Sequence, residues 1–330
     1  MKIKKLVLVL GCSFLMFKFF GSTQNQPEPG VDFYDVNFLQ STDAVQKALA
    51  LDGFFEINFT TRDNLLINGT MLDQSNRKKI TTTILSCSGF YPGRKEGMTT
   101  LYAMLKDEPY NFLFFDARGH GKSQGEMLTF QGLKHYGESE YLDVVAALQF
   151  LVLYNKEHGV TSDIVVHGLC SGAFHTIKAV TDLKKSDPEA YECIKGIVID
   201  SGWSSVADII ETSVHADTSK HCQQYYIPWI QPLIAGSIIA FYRTFFKDSH
   251  CNQQSIFHDF AKIDQPILFI HALDDTYVPI ELIHPLVTTS KKATTWYVKD
   301  SSHVTNHLQH KDEYKVQLKK FVESISDKNR

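Results

Sequence analysis

Between Val165 and Thr176 the chain reads Val-Val-His-Gly-Leu-Cys-Ser-Gly-Ala-Phe-His-Thr, an apolar strand that runs into a Gly-x-Cys-x-Gly turn and then a helix. A strand that reverses into a helix within a few residues strains the backbone of its central residue. It also leaves no room for side chains two positions to either side, so small residues are needed there. With Cys170 at the centre those positions are Gly168 and Gly172; with Ser171 they are Leu169 and Ala173. The register selects Cys170. The turn then has the shape of a nucleophile elbow with cysteine in place of the usual serine, and Ser171 offers its backbone N–H to an oxyanion. The competing reading is a buried structural cysteine in a Gly-flanked turn.

The hydrophobic runs around this turn alternate in kind. Phe54 to Thr61 and Leu65 to Leu72 read as a hairpin. Ile80 to Cys87, Asn111 to Asp116, Asp163 to Gly168, Ile194 to Asp200, Pro266 to Ala272 and Thr294 to Val298 read as short buried strands. Helices are expected near Lys95 to Lys106, from Tyr136 to Lys156, from Ser171 to Leu183, after Pro279 and from Val304 to Ser324. Strands alternating with helices imply an α/β fold with a mostly parallel sheet covered on both faces, and ligands at the carboxyl ends of the strands.

With 43% hydrophobic and 12% aromatic residues, the 330-residue chain can bury a sizeable core. A formal net charge of -4, with no basic run outside the N-terminus, gives no electrostatic footprint for nucleic acid. Lys2, Lys4 and Lys5 precede the apolar stretch Leu6 to Phe17, a secretory-signal pattern that assigns residues 1–24 to a leader and 25–330 to the folded domain. The stretch is shorter than the roughly 20 residues of a spanning helix and lengthens past Lys18 only by snorkelling. A cleaved signal peptide and an N-terminal anchor both stay open. Either way the chain is expected to be exported, periplasmic or secreted. The six cysteines include no CxxC or metal-ligand spacing, so neither a zinc site nor any other metal or cofactor is expected. Cys222 and Cys251 share one polar insertion, where a disulfide and two thiols are equally open.

Several further motifs lie at predicted strand ends. Cys87-Ser88-Gly89-Phe90-Tyr91-Pro92-Gly93 follows the third strand and Asp116-Ala117-Arg118-Gly119-His120-Gly121-Lys122-Ser123 the fourth. His271-Ala272-Leu273-Asp274-Asp275-Thr276-Tyr277-Val278-Pro279 follows the seventh, and Lys299-Asp300-Ser301-Ser302-His303-Val304 the last. With the elbow, these resemble the α/β-hydrolase superfamily from about residue 53 to the C-terminus. The Asp-x-Arg-Gly-x-Gly-x-Ser loop is similar to its serine-aminopeptidase-like and monoglyceride-lipase-like branches, and the cysteine elbow to dienelactone hydrolases. The chain order of nucleophile, acid and histidine agrees. The resemblance implies Cys170 as nucleophile, Asp275 as the acid that orients the base, His303 as general base, and the N–H groups of Phe90 and Ser171 as oxyanion donors. Ser88 stands where the family carries histidine. Asp200, at the end of the sixth strand, is the alternative acid. Arg118 is read as a loop brace, His167 and His271 as buried hydrogen-bonded histidines, and His307 and His310 as polar positions on an exposed helix face.

A cysteine at the first turn of a helix meets exposed N–H groups and the positive end of the helix dipole, and both favour the thiolate. Residues 203–262 depart from the sheet pattern where this superfamily inserts a helical cap, and Tyr225 to Phe246 is nearly all apolar. A helical lid over a lipophilic acyl pocket is expected, with peripheral membrane contact through the leader or the lid. The combined expectation is an exported hydrolase of carboxylic esters or thioesters that acts on a small-molecule acyl substrate. The alternatives are an acyltransferase and a catalytically silent binding protein of the same fold.

Overall fold

The computed structural model describes residues 42–326 apart from 91, 92, 128 and 247–249. The expected leader, residues 1–24, lies outside the described residues. The chain opens with α1 (Thr42–Leu51) and the antiparallel strands β1 (Phe55–Thr60) and β2 (Leu66–Leu72). Then come β3 (Thr82–Cys87), a 3-10 turn at Lys95–Met98, α2 (Thr99–Leu105), β4 (Tyr110–Phe115), α3 (Phe130–Lys134) and α4 (Tyr141–His158). Next are β5 (Asp163–Leu169), α5 (Ser171–Ser186), α6 (Pro188–Cys193) and β6 (Ile194–Asp200). The helices α7 (Val206–Gln224), α8 (Gln231–Phe246) and α9 (Phe257–Phe260) intervene before β7 (Ile267–Ala272), α10 (Ile280–Thr289), β8 (Ala293–Val298), α11 (Asn306–Gln309) and α12 (Lys311–Ser326).

The eight strands form one sheet in the order β1-β2-β4-β3-β5-β6-β7-β8, parallel from β4 to β8. Successive side chains of a strand face opposite ways, so strands apolar at every position must be covered on both faces. Leu85, Leu113, Val166, Ile199 and Phe269 enter one core with Val144, Leu148 and Leu151 of α4 and Phe174 and Ile177 of α5. Their neighbours Ile84, Phe112, Val165, Val198 and Leu268 enter the other, with Leu49 of α1, Leu105 of α2 and Tyr314 and Leu318 of α12.

The parallel register decides where the loops emerge. Cys87 pairs with Gly168, Leu169 with Asp200, Asp200 with Ile270, and Ala272 with Val298. The carboxyl ends of β3, β5, β6, β7 and β8 are therefore level, and their loops meet along one edge. Two expected helices start later in the chain. The helix expected from Tyr136 begins at Tyr141, after a turn in which Gly137 takes a φ of 84°. The helix expected from Val304 starts only at Asn306, because Val304 itself has a φ of 56°, and it breaks into α11 and α12 at His310, which stands at φ -125° and ψ 48°.

Within the insertion, Ala235, Ile239, Tyr242 and Phe246 of α8 are buried, whereas the turn between α7 and α8 exposes Tyr225, Tyr226 and Trp229, and the first turn of α8 exposes Leu233. Cys222 and Cys251 are both buried thiols without a disulfide, and Cys251 lies against the Tyr242 hydroxyl. No helix among the described residues is long and apolar enough to cross a membrane.

Candidate active site

Cys170 sits between β5 and α5 with φ 53° and ψ -115°, a conformation that a residue with a side chain rarely adopts. Its flanking glycines are compulsory on contact grounds. A Cβ on Gly168 would lie 2.5 Å from the Cα of Ala173, and one on Gly172 would lie 2.2 Å from the carbonyl oxygen of Cys87. The turn thus locks against both its own helix and the loop after β3. That loop reaches the elbow residue itself: a Cβ on Gly89 would stand 3.2 Å from the Cys170 Cβ.

The Cys170 Sγ lies 3.2 Å from His303 Nε2, and His303 Nδ1 lies 2.7 Å from Asp275 Oδ2. An ionised carboxylate only accepts, so Nδ1 carries the proton toward Asp275 and Nε2 faces the sulfur. The other carboxylate oxygen, Oδ1, accepts the backbone N–H groups of Tyr277 at 2.9 Å and Val278 at 2.8 Å, which fixes Asp275 in the turn after β7. Burial alone would push the His303 imidazole down. The facing Cys170 sulfur and the Asp275 carboxylate outweigh it and hold the ring well above the usual histidine range. Asp275 is buried and its neighbour Asp274 is exposed, as the motif register requires.

Asp200 is not beside the histidine ring. Its carboxylate accepts from Ser201 Oγ at 2.9 Å, Asn306 Nδ2 at 2.8 Å and the Tyr314 hydroxyl at 2.8 Å. Of the two carboxylates it is Asp275 that lies at the ring, because Ser201 after β6, Asn306 of α11 and Tyr314 of α12 claim the Asp200 oxygens. His167 bridges Ser86 Oγ and the Tyr314 hydroxyl at 2.8 Å each, and burial pushes its ring down to about 4. His271 Nε2 donates to the Val278 carbonyl at 2.8 Å, so it too is a buried structural histidine. His307 departs from expectation. It is buried rather than on an exposed face, with its ring 5.9 Å from that of Tyr314, because α11 turns inward after the Val304 kink.

The loop after β4 braces the site from outside. The Arg118 guanidinium grips Asp63 through Nη1 at 2.7 Å and Nη2 at 3.1 Å, while its Nε donates to Asp143 at 2.9 Å. The Asp116 carboxylate takes the backbone N–H groups of Lys95 and Lys122 together with the buried Lys95 ammonium. Phe90, whose ring packs edge-on to Tyr136 at 5.0 Å, lies on the loop that Lys95 closes. Ser171 begins α5 with its side chain buried.

One contact had no signal in the motifs. The Tyr277 ring stacks on His303 with 5.5 Å between ring centres, and its hydroxyl donates to Asp217 of α7. Only the aromatic residue between the acid and the Val-Pro pair hinted at it. No cluster of histidine, cysteine and carboxylate side chains among the described residues could hold a metal ion.

No family model matches the chain. A protein of Bacillus subtilis (strain 168), the uncharacterized YqkD, is 22% identical over 247 residues, which span 74% of this chain and 72% of that protein. The Pyrococcus furiosus esterase PF2001 matches with a TM-score of 0.60 at 21% identity, covering 83% of this chain and 91% of its own. The alpha/beta hydrolase GrgF of Penicillium sp. sh18 matches with a TM-score of 0.57 at 13% identity, covering 83% and 99%. The eight-stranded, mostly parallel sheet and these structural neighbours place the chain in the α/β-hydrolase fold.

Proposed function

We propose that this α/β-hydrolase-fold chain hydrolyses carboxylic esters or thioesters through a Cys170-His303-Asp275 triad and an acyl-thioenzyme intermediate. The observation that carries the reading is the Cys170 sulfur at 3.2 Å from the His303 Nε2, on a backbone strained into the elbow conformation. The Pyrococcus furiosus neighbour, an esterase, supports the reaction class. With the thiol proton held on His303 Nε2, the Cys170 thiolate attacks the acyl carbon as the carbonyl π pair moves to oxygen. The backbone N–H groups of Phe90 and Ser171 hold that oxyanion. Collapse breaks the bond to the alkoxide or thiolate leaving group, which takes the proton from Nε2. Water then gives a proton to His303 and attacks the thioester; the carbon–sulfur bond breaks and the Cys170 thiolate again faces the protonated Nε2. Asp275 keeps Nδ1 protonated throughout and stabilises the imidazolium.

In this reading α7 to α9 form a lid, and its apolar faces favour a lipophilic acyl group. The N-terminal segment directs export, and the leader or the exposed aromatic turn at Tyr225, Tyr226 and Trp229 gives contact with a membrane surface. A panel of chromogenic esters and acyl thioesters of graded chain length tests the mechanism. Cys170→Ala is expected to lower turnover by about 1,000-fold or more, since the nucleophile is removed while the oxyanion donors stay. Unchanged turnover in that variant removes the mechanism. No turnover of any substrate by the intact protein points instead to a binding protein.

A further inference from the structure

Asp200 touches both halves of the site without touching a reacting atom. Its backbone carbonyl accepts the Cys170 N–H at 2.8 Å, while its fully buried carboxylate reaches the loop that carries His303. That loop is strained: Val304, next to the base, is a β-branched residue at φ 56°, and Ser201, which faces it, stands at φ 51°. Such conformations are costly and persist only where the surroundings over-determine them. The Val304 N–H donates to Ser201 Oγ at 3.2 Å, and Asn306 Nδ2 reaches the same oxygen at 3.3 Å.

A serine hydroxyl has one proton to donate and two lone pairs. Here the proton goes to Asp200 Oδ1 at 2.9 Å, which leaves the lone pairs for Val304 and Asn306. The carboxylate thus determines which way the hydroxyl points. We infer that Asp200 is a positioning residue: by polarising Ser201 and anchoring Asn306, it holds the left-handed backbone at Val304 and so aims the His303 ring at the Cys170 sulfur.

The remaining oxygen of Asp200 terminates a one-way chain. Tyr314 spends its only proton on Asp200 Oδ2, so His167 must donate to the Tyr314 oxygen through Nε2 and accept from Ser86 at Nδ1. An asparagine could replace the carboxylate with every bond kept. Its amide oxygen would accept from Ser201 and Asn306, its NH₂ would donate to the Tyr314 oxygen, and Tyr314 and His167 would each reverse. An alanine has no such arrangement.

The inference rests on the Cys170–His303 pair, and the test separates the two. The probe is iodoacetamide, with modification of Cys170 followed by peptide mass mapping across pH in the full chain, and folding checked by circular dichroism. His303→Ala is the control: a profile identical to wild type refutes the pair itself. Given a shifted control, Asp200→Ala is expected to slow alkylation at pH 7 about tenfold and to displace the pH profile in the same direction as His303→Ala. Asp200→Asn is expected to stay within about threefold of wild type, a difference of less than half a pH unit. Ser201→Ala, which removes the Val304 acceptor but buries no new polar group, is expected to shift the profile the same way as Asp200→Ala. It also serves if Asp200→Ala fails to fold. Wild-type profiles in the folded Asp200→Ala or Ser201→Ala variant, beside a shifted His303→Ala control, overturn the positioning role alone. An Asp200→Asn profile as displaced as that of Asp200→Ala overturns it as well, because the role would then belong to the charge and not to the hydrogen bonds.

Discussion

Cys170 and Gly172 show how little freedom the site leaves at the level of single residues. A methyl group at position 172 would press on the carbonyl oxygens of Cys87 at 2.2 Å and Ser88 at 2.6 Å, both of them backbone and unable to swing aside. Gly172→Ala is therefore expected to displace the loop after β3 and to destabilise the fold by about 1–3 kcal/mol. Thermal melting measures the loss, and iodoacetamide labelling of Cys170 reports the damaged elbow; a variant with wild-type melting and labelling contradicts the contact argument. This constraint was legible in the sequence because it is local, written in the spacing of two glycines around Cys170. The choice of Asp275 over Asp274 was legible for the same reason. The role of Asp200 was not, because its partners Asn306 and Tyr314 lie 106 and 114 residues away. A carboxylate at a strand end looks the same in sequence whether it faces a catalytic ring or a tyrosine hydroxyl.

At the scale of elements, a hydrogen bond ties the insertion to the residues around His303. Asp217 of α7 accepts the hydroxyl of Tyr277, the residue that lies flat against His303 two positions after the acid. Burial and then the Asp217 carboxylate raise the Tyr277 phenol well above its ordinary value, so it stays protonated and keeps donating. Asp217→Ala is expected to speed amide hydrogen exchange in Val206–Gln224 several-fold while leaving β5 and β6 protected. Exchange in α7 unchanged by the substitution contradicts the tether. The sequence announced the insertion through its break in strand-helix alternation and its apolar run. It could not announce which side faced inward, since Trp229 and Leu233 are exposed while Tyr242 and Phe246 are buried in the same run. The short helix α6 left no clear period in the sequence, and neither did α1.

Across the whole molecule, the sheet was the most legible part, because continuous apolar strands separated by helical spacing admit few arrangements. The buried titratable groups beneath it were not legible, and they contribute to the pH response. Burial pushes the Glu140 carboxyl up to about 7, so the folded chain holds a proton there that the unfolded chain has released above its ordinary value of 4.5. Its contribution to stability is present below 4.5 and lost as pH rises through about 7. His175 runs the opposite way. Pushed down by burial to about 3, it contributes stability above 6.5 that is lost as pH falls toward 3. Glu140→Gln keeps an acceptor for the Gly137 N–H and removes the titration. Its stability relative to wild type in urea unfolding is expected to rise by about 3 kcal/mol between pH 4.5 and 8, and a flat difference contradicts the assignment. The spacing of the proposed triad along the chain has a consequence in time. Cys170 meets the His303 imidazole 133 residues further on, carried by the loop after β8, the edge strand that is last in sequence. Contacts so distant in sequence form late, after the loop-closure cost between them has been met. A nascent or refolding chain therefore carries an unassisted thiol until its C-terminal strands dock, and the reactive pair comes into being only as folding completes.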